Sequence, residues 1–450
     1  MLVNKTKSPS RFQIFINPFV LAITLTFSIA LIKGGATQWA SLLWVGLTGI
    51  SILLSSFFFE TPARLRNLIN HYFHSRSVQI LAAFNIWCLF QYLSGISFDL
   101  ASSFDHLLIG LGMMGLLALW FFALVDSERL SQLFISIIAF ATIQSLYGLW
   151  IYLGDINLLL WMQKQHYLDR PTGFFVNANH FAAYLVLSIC LILSNVLANL
   201  IKTNTQPAKI NPIFKLFDQF YSPQYLALGL LIFTLALTRS AGAIASLIVV
   251  LCLMSFHFAL ARKRLTRLFI AYSIGALVLF LILLGTDYDT LTNQIAELSH
   301  TISRRFELTK AAWEMLSEHW LLGVGGGSFY SHFSSYRSLE IGNSYYNYAH
   351  NDLLQFFIEY GIIGATLLFL FVFFSVRENV KTLTAKQSKM RITFSYVSIY
   401  GTVAVIIHST VDFPLHLPGF AVLYLVIISA NPILNSLHPI ATKAQPDTRR

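Results

Sequence analysis

The sequence predicts an all-α, polytopic integral membrane protein of about 12 transmembrane helices, and three observations predict this class. Hydrophobic residues make up 56% of the chain and charged residues only 11%, far from the balance of a water-soluble domain. The mean hydropathy is +0.65. The apolar residues fall into runs of about 17–25 residues, which is the length needed to cross a hydrocarbon core of about 30 Å.

Twelve apolar runs are candidate spans. The first follows Lys5, Lys7 and Arg11, and we interpret it as a spanning helix because no small-residue cleavage site of a signal peptide follows it. Without an internal repeat or a low-complexity segment, residues 1–450 are predicted to form a single membrane domain. The runs are centred near Phe27, Ile50, Ile86, Gly115, Ala139, Leu187, Leu230, Val249, Val278, Leu367, Val403 and Leu423.

The distribution of basic residues predicts the orientation, because cytoplasmic loops carry an excess of Lys and Arg. With the N-terminus inside, 22 of the 30 basic side chains fall on the cytoplasmic side and eight fall outside. This split predicts an even number of spans with both termini in the cytoplasm. It also accounts for the net charge of +10 without nucleic acid, so the basic run at 261–267 is interpreted as a topogenic loop.

The loops on the predicted outer side are the long ones. Residues 287–351 form the longest, and its middle, 290–320, places apolar residues at helical spacing, which predicts one or two amphipathic helices on the outer face. Two shorter outer loops lie at 154–178 and 409–416. Long ordered loops often carry function, so these three segments are the candidates for a functional site.

The segment "LDRPTGFFVNANHFAAYL" (168–185) combines Arg170 with Asn179 and His180 before an apolar run. One interpretation is an ordinary turn with capping asparagines. The other is an outward-facing anion site, in which the Arg170 guanidinium binds a phosphate beside the free N–H groups of a helix start. Residue types alone leave the two open.

Three further basic side chains lie on the same predicted side. Arg239 occupies a short hairpin, where an arginine usually reaches the lipid head groups. Arg304 and Arg305 lie on the amphipathic segment, where a solvated face is the ordinary explanation. The glycine run 323–327 lacks the Lys and Ser/Thr of a nucleotide loop and is interpreted as a tight turn that packs backbone against backbone.

The stretch "YNYAHNDLLQFFIEYGIIGA" (346–365) places His350 directly before a predicted helix start, which Asn351 or Asp352 can cap. A histidine there is either a resident of the interfacial belt or a base, an acid or a phosphate partner. In "HSTVDFPLHLPG" (408–419), Asp412 lies between two histidines. Pro414 interrupts that pattern, so no metal is expected.

The predicted orientation brings several of these residues to one membrane face. Arginines and a histidine at an outer membrane surface suit a substrate that carries phosphate and is held in lipid, with arginines that stabilise a departing diphosphate. No cofactor is expected. The residues are Arg170, Arg239, Arg305, His350 and Asp412.

The chain resembles the O-antigen ligase and polymerase superfamily, which includes bacterial protein O-oligosaccharyltransferases. His350 and Asn351, followed after nine residues by Gly361 and after two more by Gly364, match its His-Asn-x9-Gly-x-x-Gly signature. The segments "RPTGFFVNANHFA", "LLGVGGGSF" and "HSTVDFPLHLPG" extend the resemblance over most of 165–420.

The resemblance implies a multi-pass enzyme of the bacterial inner membrane with a large periplasmic loop. Such an enzyme transfers a glycan from an undecaprenyl-diphosphate-linked donor to an acceptor, without a metal. It also implies that Arg170 and Arg305 hold the diphosphate, that Arg239 assists them, and that His350 is the essential histidine. Arg304, Asn351, Asn179, His180 and Asp412 are candidate substrate-binding residues.

The motifs do not decide the acceptor, which is lipid A core, a growing glycan or a protein side chain. The generic form of the motifs favours a ligase or polymerase over protein glycosylation. A transporter of lipid-linked sugars or solutes is the alternative of a different class. It is disfavoured because the ionisable residues lie mainly at the ends of spans and the two halves show no inverted repeat.

Overall fold

The computed structural model describes residues 17–59, 61–202, 222–262, 288–337 and 346–440. Helix accounts for 79% of the structure. The described part also contains one small antiparallel sheet, formed by the two-residue strands β1 (Leu158–Leu159) and β2 (Met162–Gln163). The all-α class is therefore confirmed. The helices are α1 (Pro18–Leu31), α2 (Gln38–Ser56), α3 (Pro62–His74), α4 (Arg76–Leu93), α5 (Leu100–Ala123), α6 (Ser127–Leu153), α7 (Ala178–Lys202), α8 (Pro223–Leu237), α9 (Ala241–Arg262), α10 (Tyr288–His319), α11 (Phe329–Phe333), α12 (Asp352–Thr384), α13 (Lys389–Ser409) and α14 (Pro418–Leu437).

Eight helices of the described part are long and apolar enough to cross a membrane: α2, α5, α6, α7, α9, α12, α13 and α14. The helices α1 and α8 are apolar but shorter. Eleven of the twelve predicted run centres fall within a helix, and the run near Val278 lies outside the described residues. The multi-pass character is thus confirmed, while the number twelve stays a prediction.

The helix α7 lies at the centre of the bundle. Its side chains are buried nearly all round, as expected of a helix without a polar face. It packs against α13, α9 and α8. Around this centre, α12 packs against α4, α13 and α14, so the start of α12 is held on several sides.

The loops that the charge count assigns to the outer side meet at one end of the bundle, which we call the site end. There the Phe98 N–H donates to the Val324 carbonyl at 3.0 Å, and Arg305 donates to the Val411 carbonyl at 2.5 Å. At the opposite end, Ser388 bonds Ser127. The compartment that each end faces stays a prediction.

The helix α12 is broken at Gly361, which has φ 63° and ψ −177°, a conformation open to glycine. The break frees carbonyls of the preceding turn. The N–H groups of Val324 and Gly325 donate hydrogen bonds to the carbonyls of Ile358 and Glu359, each at 2.9 Å. The glycine run therefore packs backbone against backbone, as predicted, and its partner is the broken helix.

Candidate active site

A buried carboxylate lies between two histidines at the site end. Asp412, in the loop between α13 and α14, is 2% exposed. Its Oδ1 lies 3.5 Å from His180 Nε2 and 3.5 Å from His350 Nδ1. His180 comes from the first turn of α7 and is buried, whereas the side chain of His350 is 27% exposed. Three separate sequence segments thus meet at one carboxyl group.

The Asp412 carboxyl remains ionised at neutral pH. Burial raises its pKa, but His180 and His350 on its oxygen lower it, and the balance lies well below the usual value. Its Oδ1 also accepts the N–H of Phe413 at 2.9 Å. An anion fixed in this way orients an imidazole and stabilises its protonated form.

Backbone strain is also found beside Asp412, at His350. Six residues other than glycine have a positive φ in the described part, all of them in predicted outer loops, and two of them, Arg239 and His350, are candidate site residues. For His350 the value is 51°. Its neighbours are anchored: the Ala349 N–H donates to Gln355 at 2.8 Å, and Asn351 caps α12 through the Leu354 N–H at 3.0 Å. Such strain persists where the surroundings impose it, often at functional sites.

The arginines approach the site from three elements. Arg305, on α10, is bonded to the carbonyl of Val411, the residue before Asp412. Arg239, between α8 and α9, and Arg170 share the exposed carboxylate of Asp169, at 3.3 Å and 3.6 Å. Their loop is tied down because the buried Lys164 donates to the Arg170 carbonyl at 2.9 Å. Three guanidinium groups therefore stand at the site end.

Tyr167 is a site residue that the sequence did not single out. Burial raises the pKa of its hydroxyl, Asp412 raises it further, and Arg170 and Arg305 oppose them. The tyrosine therefore lies within the field of the carboxylate and of both arginines. Its signal in the sequence is only its position three residues before Arg170.

Two further candidates, Arg304 and Asn179, lie on the helices α10 and α7. Arg304 lies on the exposed face of α10. The Asn179 N–H donates to the side chain of Asn177 at 2.8 Å, so Asn179 belongs to the capped start of α7. Both assignments as substrate-binding residues stay predictions.

A second buried cluster begins one residue after the Asn351 cap. The carboxylate of Asp352 accepts from Ser409 Oγ at 2.8 Å, from the Leu415 N–H at 2.9 Å and from His416 Nδ1 at 2.5 Å. The other ring nitrogen of His416 lies 3.7 Å from Glu359 Oε2. The two histidines around Asp412 in the sequence therefore do not act together, since His416 pairs with Asp352.

His416 is held as a cation by this cluster. Burial lowers its pKa, but the hydrogen bond to Asp352 and the charges of Asp352 and Glu359 raise it to about 9. Among the residues with described side chains, no group of three or more His, Cys, Asp and Glu has the arrangement of a metal site. The two clusters are thus built as imidazole–carboxylate pairs.

These features define a class: a multi-pass helical membrane protein whose histidine, buried carboxylates and arginines meet at one end of the bundle. Residues 226–369 match the family model described as O-antigen ligase, and the resemblance to the O-antigen ligase superfamily is thereby confirmed. The family indicates a membrane glycan transferase of the O-antigen ligase type. No curated protein gives a significant match. The matched range includes Arg239, Arg305, His350 and Gly361.

Proposed function

We propose that the protein transfers a glycan from undecaprenyl diphosphate to an acceptor hydroxyl on the periplasmic face of the bacterial inner membrane, without a metal. The acceptor oxygen bonds to the anomeric carbon as the bond from that carbon to the diphosphate oxygen breaks, so the configuration inverts. The acceptor proton passes to His350, and undecaprenyl diphosphate leaves. The acceptor is lipid A core or a growing glycan.

The observation that carries this proposal is the ionised Asp412 facing Nδ1 of His350. The Asp412 Oδ1 lies 3.5 Å from Nδ1 and can only accept, so it favours the tautomer with the proton on Nδ1, which leaves the lone pair of Nε2 for the acceptor hydroxyl. The partial exposure of His350 gives an acceptor access to that nitrogen. As the proton arrives, Asp412 stabilises the imidazolium, which is the arrangement of a general base.

The arginines supply the charge that a departing diphosphate requires. Arg170 and Arg239 face the exposed Asp169, and an ion pair of that kind contributes little, roughly 0–1 kcal/mol. A diphosphate therefore displaces Asp169 at low cost. Arg305 is anchored on Val411, next to Asp412, so charge stabilisation and proton transfer occur side by side.

The test is glycan transfer in cells that express Arg170→Ala or His350→Ala. Both variants are expected to abolish transfer while their abundance in the membrane stays unchanged, measured by immunoblot of membrane fractions. Arg66→Ala and His74→Ala are matched controls, since both residues are exposed at the opposite end of the bundle. Full transfer by both site variants refutes the assignment.

The choice between a base and a phosphate ligand is tested with His350→Gln. A phosphate ligand needs only donors, which Gln supplies, so substantial recovery of transfer over His350→Ala would refute the role as a base. The transporter alternative is tested with the purified protein in vesicles. Movement of the lipid-linked glycan without formation of a glycosidic bond would overturn the enzymatic proposal.

A further inference from the structure

A polar cavity of about 390 Å³ lies beside the second cluster. Its volume falls within the range of about 300–1,000 Å³ typical of small-molecule sites. Asn347 and Tyr330 are exposed, so the cavity is open on that side. Its lining residues are Ser102, His106, Gly327, Tyr330, Asn347, Tyr348, Gln355 and Glu359.

Glu359 is the group in this lining that lacks a full set of partners. It is buried, and its Oε1 accepts from Gln355 at 2.9 Å. Its Oε2 has no hydrogen bond, and the nearest cation, His416, lies 3.7 Å away. A buried carboxylate oxygen without a hydrogen bond is costly, so a donor supplied by a ligand would satisfy it.

The other polar groups of the lining also present acceptors. His106 Nδ1 lies 2.9 Å from the Ser102 carbonyl, which can only accept, so Nδ1 carries the proton and Nε2 accepts. The Ser102 hydroxyl donates to Asp99, which leaves its oxygen lone pairs. The Gln355 side-chain carbonyl is already occupied by the Ala349 N–H. Glu359, His106 and Ser102 can therefore each accept a hydrogen bond from a ligand.

The lining of the cavity disfavours an anion. It contains the carboxylate of Glu359, and none of its residues is an arginine or a lysine. This is the reverse of the arginine site. A phosphate is repelled here, whereas neutral hydroxyl groups are not.

An aromatic wall separates the cavity from the candidate active site. Tyr348 lines the cavity and stacks on Phe413, with ring centroids 4.1 Å apart and an interplanar angle of 15°. Phe413 in turn contacts His350 edge-on, at 4.9 Å between centroids. A ring bound against Tyr348 is therefore two aromatic side chains from His350.

We propose that this cavity binds a neutral sugar ring, whose hydroxyl groups donate to Glu359, His106 and Ser102 and whose apolar face lies against Tyr348. The chemistry is that of a hexose or N-acetylhexosamine. The inference deepens the proposed function and rests on it only for the source of the ring, which is either the donor glycan or the acceptor.

The first experiment tests the cavity alone, with the full-length protein in lipid nanodiscs and glucose, galactose and N-acetylglucosamine as probes. Saturation-transfer NMR is expected to detect binding of at least one of them. Asn347→Trp fills the open rim and should remove the signal, whereas Ser335→Trp, an exposed position outside the lining, should not. Glu359→Gln should weaken binding about tenfold, through loss of a hydrogen bond to a charged group.

The proposal is overturned if none of the three sugars binds, or if Asn347→Trp binds them as the wild type does. If Glu359→Gln does not fold, Asn347→Trp alone tests the proposal, because residue 347 is exposed and its replacement leaves the core unchanged. Arg170→Ala should bind free sugar normally. Failure of the diphosphate assignment and failure of the sugar cavity therefore give different results.

The second experiment identifies the source of the ring. If the donor supplies it, Asn347→Trp weakens binding of the glycan-bearing undecaprenyl diphosphate but leaves binding of bare undecaprenyl diphosphate unchanged. If the acceptor supplies it, both affinities are unchanged and the KM for the acceptor rises. An Asn347→Trp variant with wild-type affinities and wild-type transfer overturns the proposal.

Discussion

Replacing His416 with Gln removes the only cation from a cluster that holds two buried carboxylates. In the wild type, His416 lies 2.5 Å from Asp352 and 3.7 Å from Glu359, and both carboxylates are at most 1% exposed. Gln can donate one hydrogen bond but carries no charge. Asp352 and Glu359 then keep the hydrogen bonds from Ser409, Leu415 and Gln355, but the cluster no longer holds a cation.

The loss in free energy of unfolding caused by His416→Gln can be obtained in two ways. Breaking a buried ion pair by removing one partner costs about 3–5 kcal/mol. The difference between the unfolded pKa of 6.5 and the folded pKa of about 9 corresponds to about 3 kcal/mol at about 1.4 kcal/mol per pH unit. The two values agree, so we expect His416→Gln to lower the free energy of unfolding by about 3 kcal/mol at neutral pH.

The stabilisation by His416 depends on pH, and its direction follows from the raised pKa. Because the folded pKa of His416 is raised, its contribution is fully present below pH 6.5 and is lost as the pH rises through about 9. The assay is thermal unfolding in nanodiscs, followed by tryptophan fluorescence from pH about 6 to about 10. The melting temperature of the wild type should fall toward that of His416→Gln as the pH rises.

The control is His74→Gln, an exposed histidine at the opposite end, which should follow the wild type. Other groups also titrate near pH 10, and for that reason the difference between wild type and variant is the measured quantity. Parallel curves, with a constant gap at every pH, would refute the role of His416 as a buried cation.

Three more predictions follow from the site and the helix break. Asp412→Asn should lower glycan transfer by about 10²–10⁴-fold without loss of membrane abundance, because Asn no longer holds the histidine in its basic form; activity near that of the wild type would contradict this. Asp169→Asn should tighten binding of bare undecaprenyl diphosphate by up to about fivefold, since Arg170 and Arg239 lose a competing anion; weaker binding would contradict it. Gly361→Ala should lower the free energy of unfolding by about 1–3 kcal/mol or more in thermal unfolding, because φ is positive and a Cβ would meet the backbone of 321–323; an unchanged melting temperature would contradict it.

The sequence was sufficient for the helical, multi-pass class, whereas the number of twelve spans and the side on which each loop lies stay predictions. Long apolar runs report burial in lipid directly, and basic residues report loop position, so both signals are local. His350, Arg305 and Asp412 were candidates because each stands in a predicted loop between spans, and the structure brings them to one end of the bundle. Their contacts join residues far apart in the chain, such as Arg305 and Val411, and no local pattern encodes that pairing.

The second cluster was missed because its members lie inside or beside apolar runs. Asp352 was interpreted as an alternative cap, whereas Asn351 caps the helix and Asp352 is buried. Glu359 follows Asp352 by seven residues, which places both carboxylates on one face of α12. Two acidic residues on one face of an otherwise apolar helix were the signal, since isolated carboxylates are rarely buried without a partner.

The order of His350, Asn351 and Gly361 in the signature has a structural explanation. His350 lies against Asp412, whereas Asp352 pairs with His416 and Glu359 lines the cavity, so the start of α12 lies between the two clusters. The Asp352 N–H donates to the Asp412 carbonyl at 3.2 Å and thereby ties the two sides together. Gly361 breaks the helix immediately after Glu359, which lets the backbone of the glycine run close on the Glu359 carbonyl and fix the cavity wall at Gly327. The glycine at 361 therefore permits the backbone geometry that holds Glu359 in place beside the cavity.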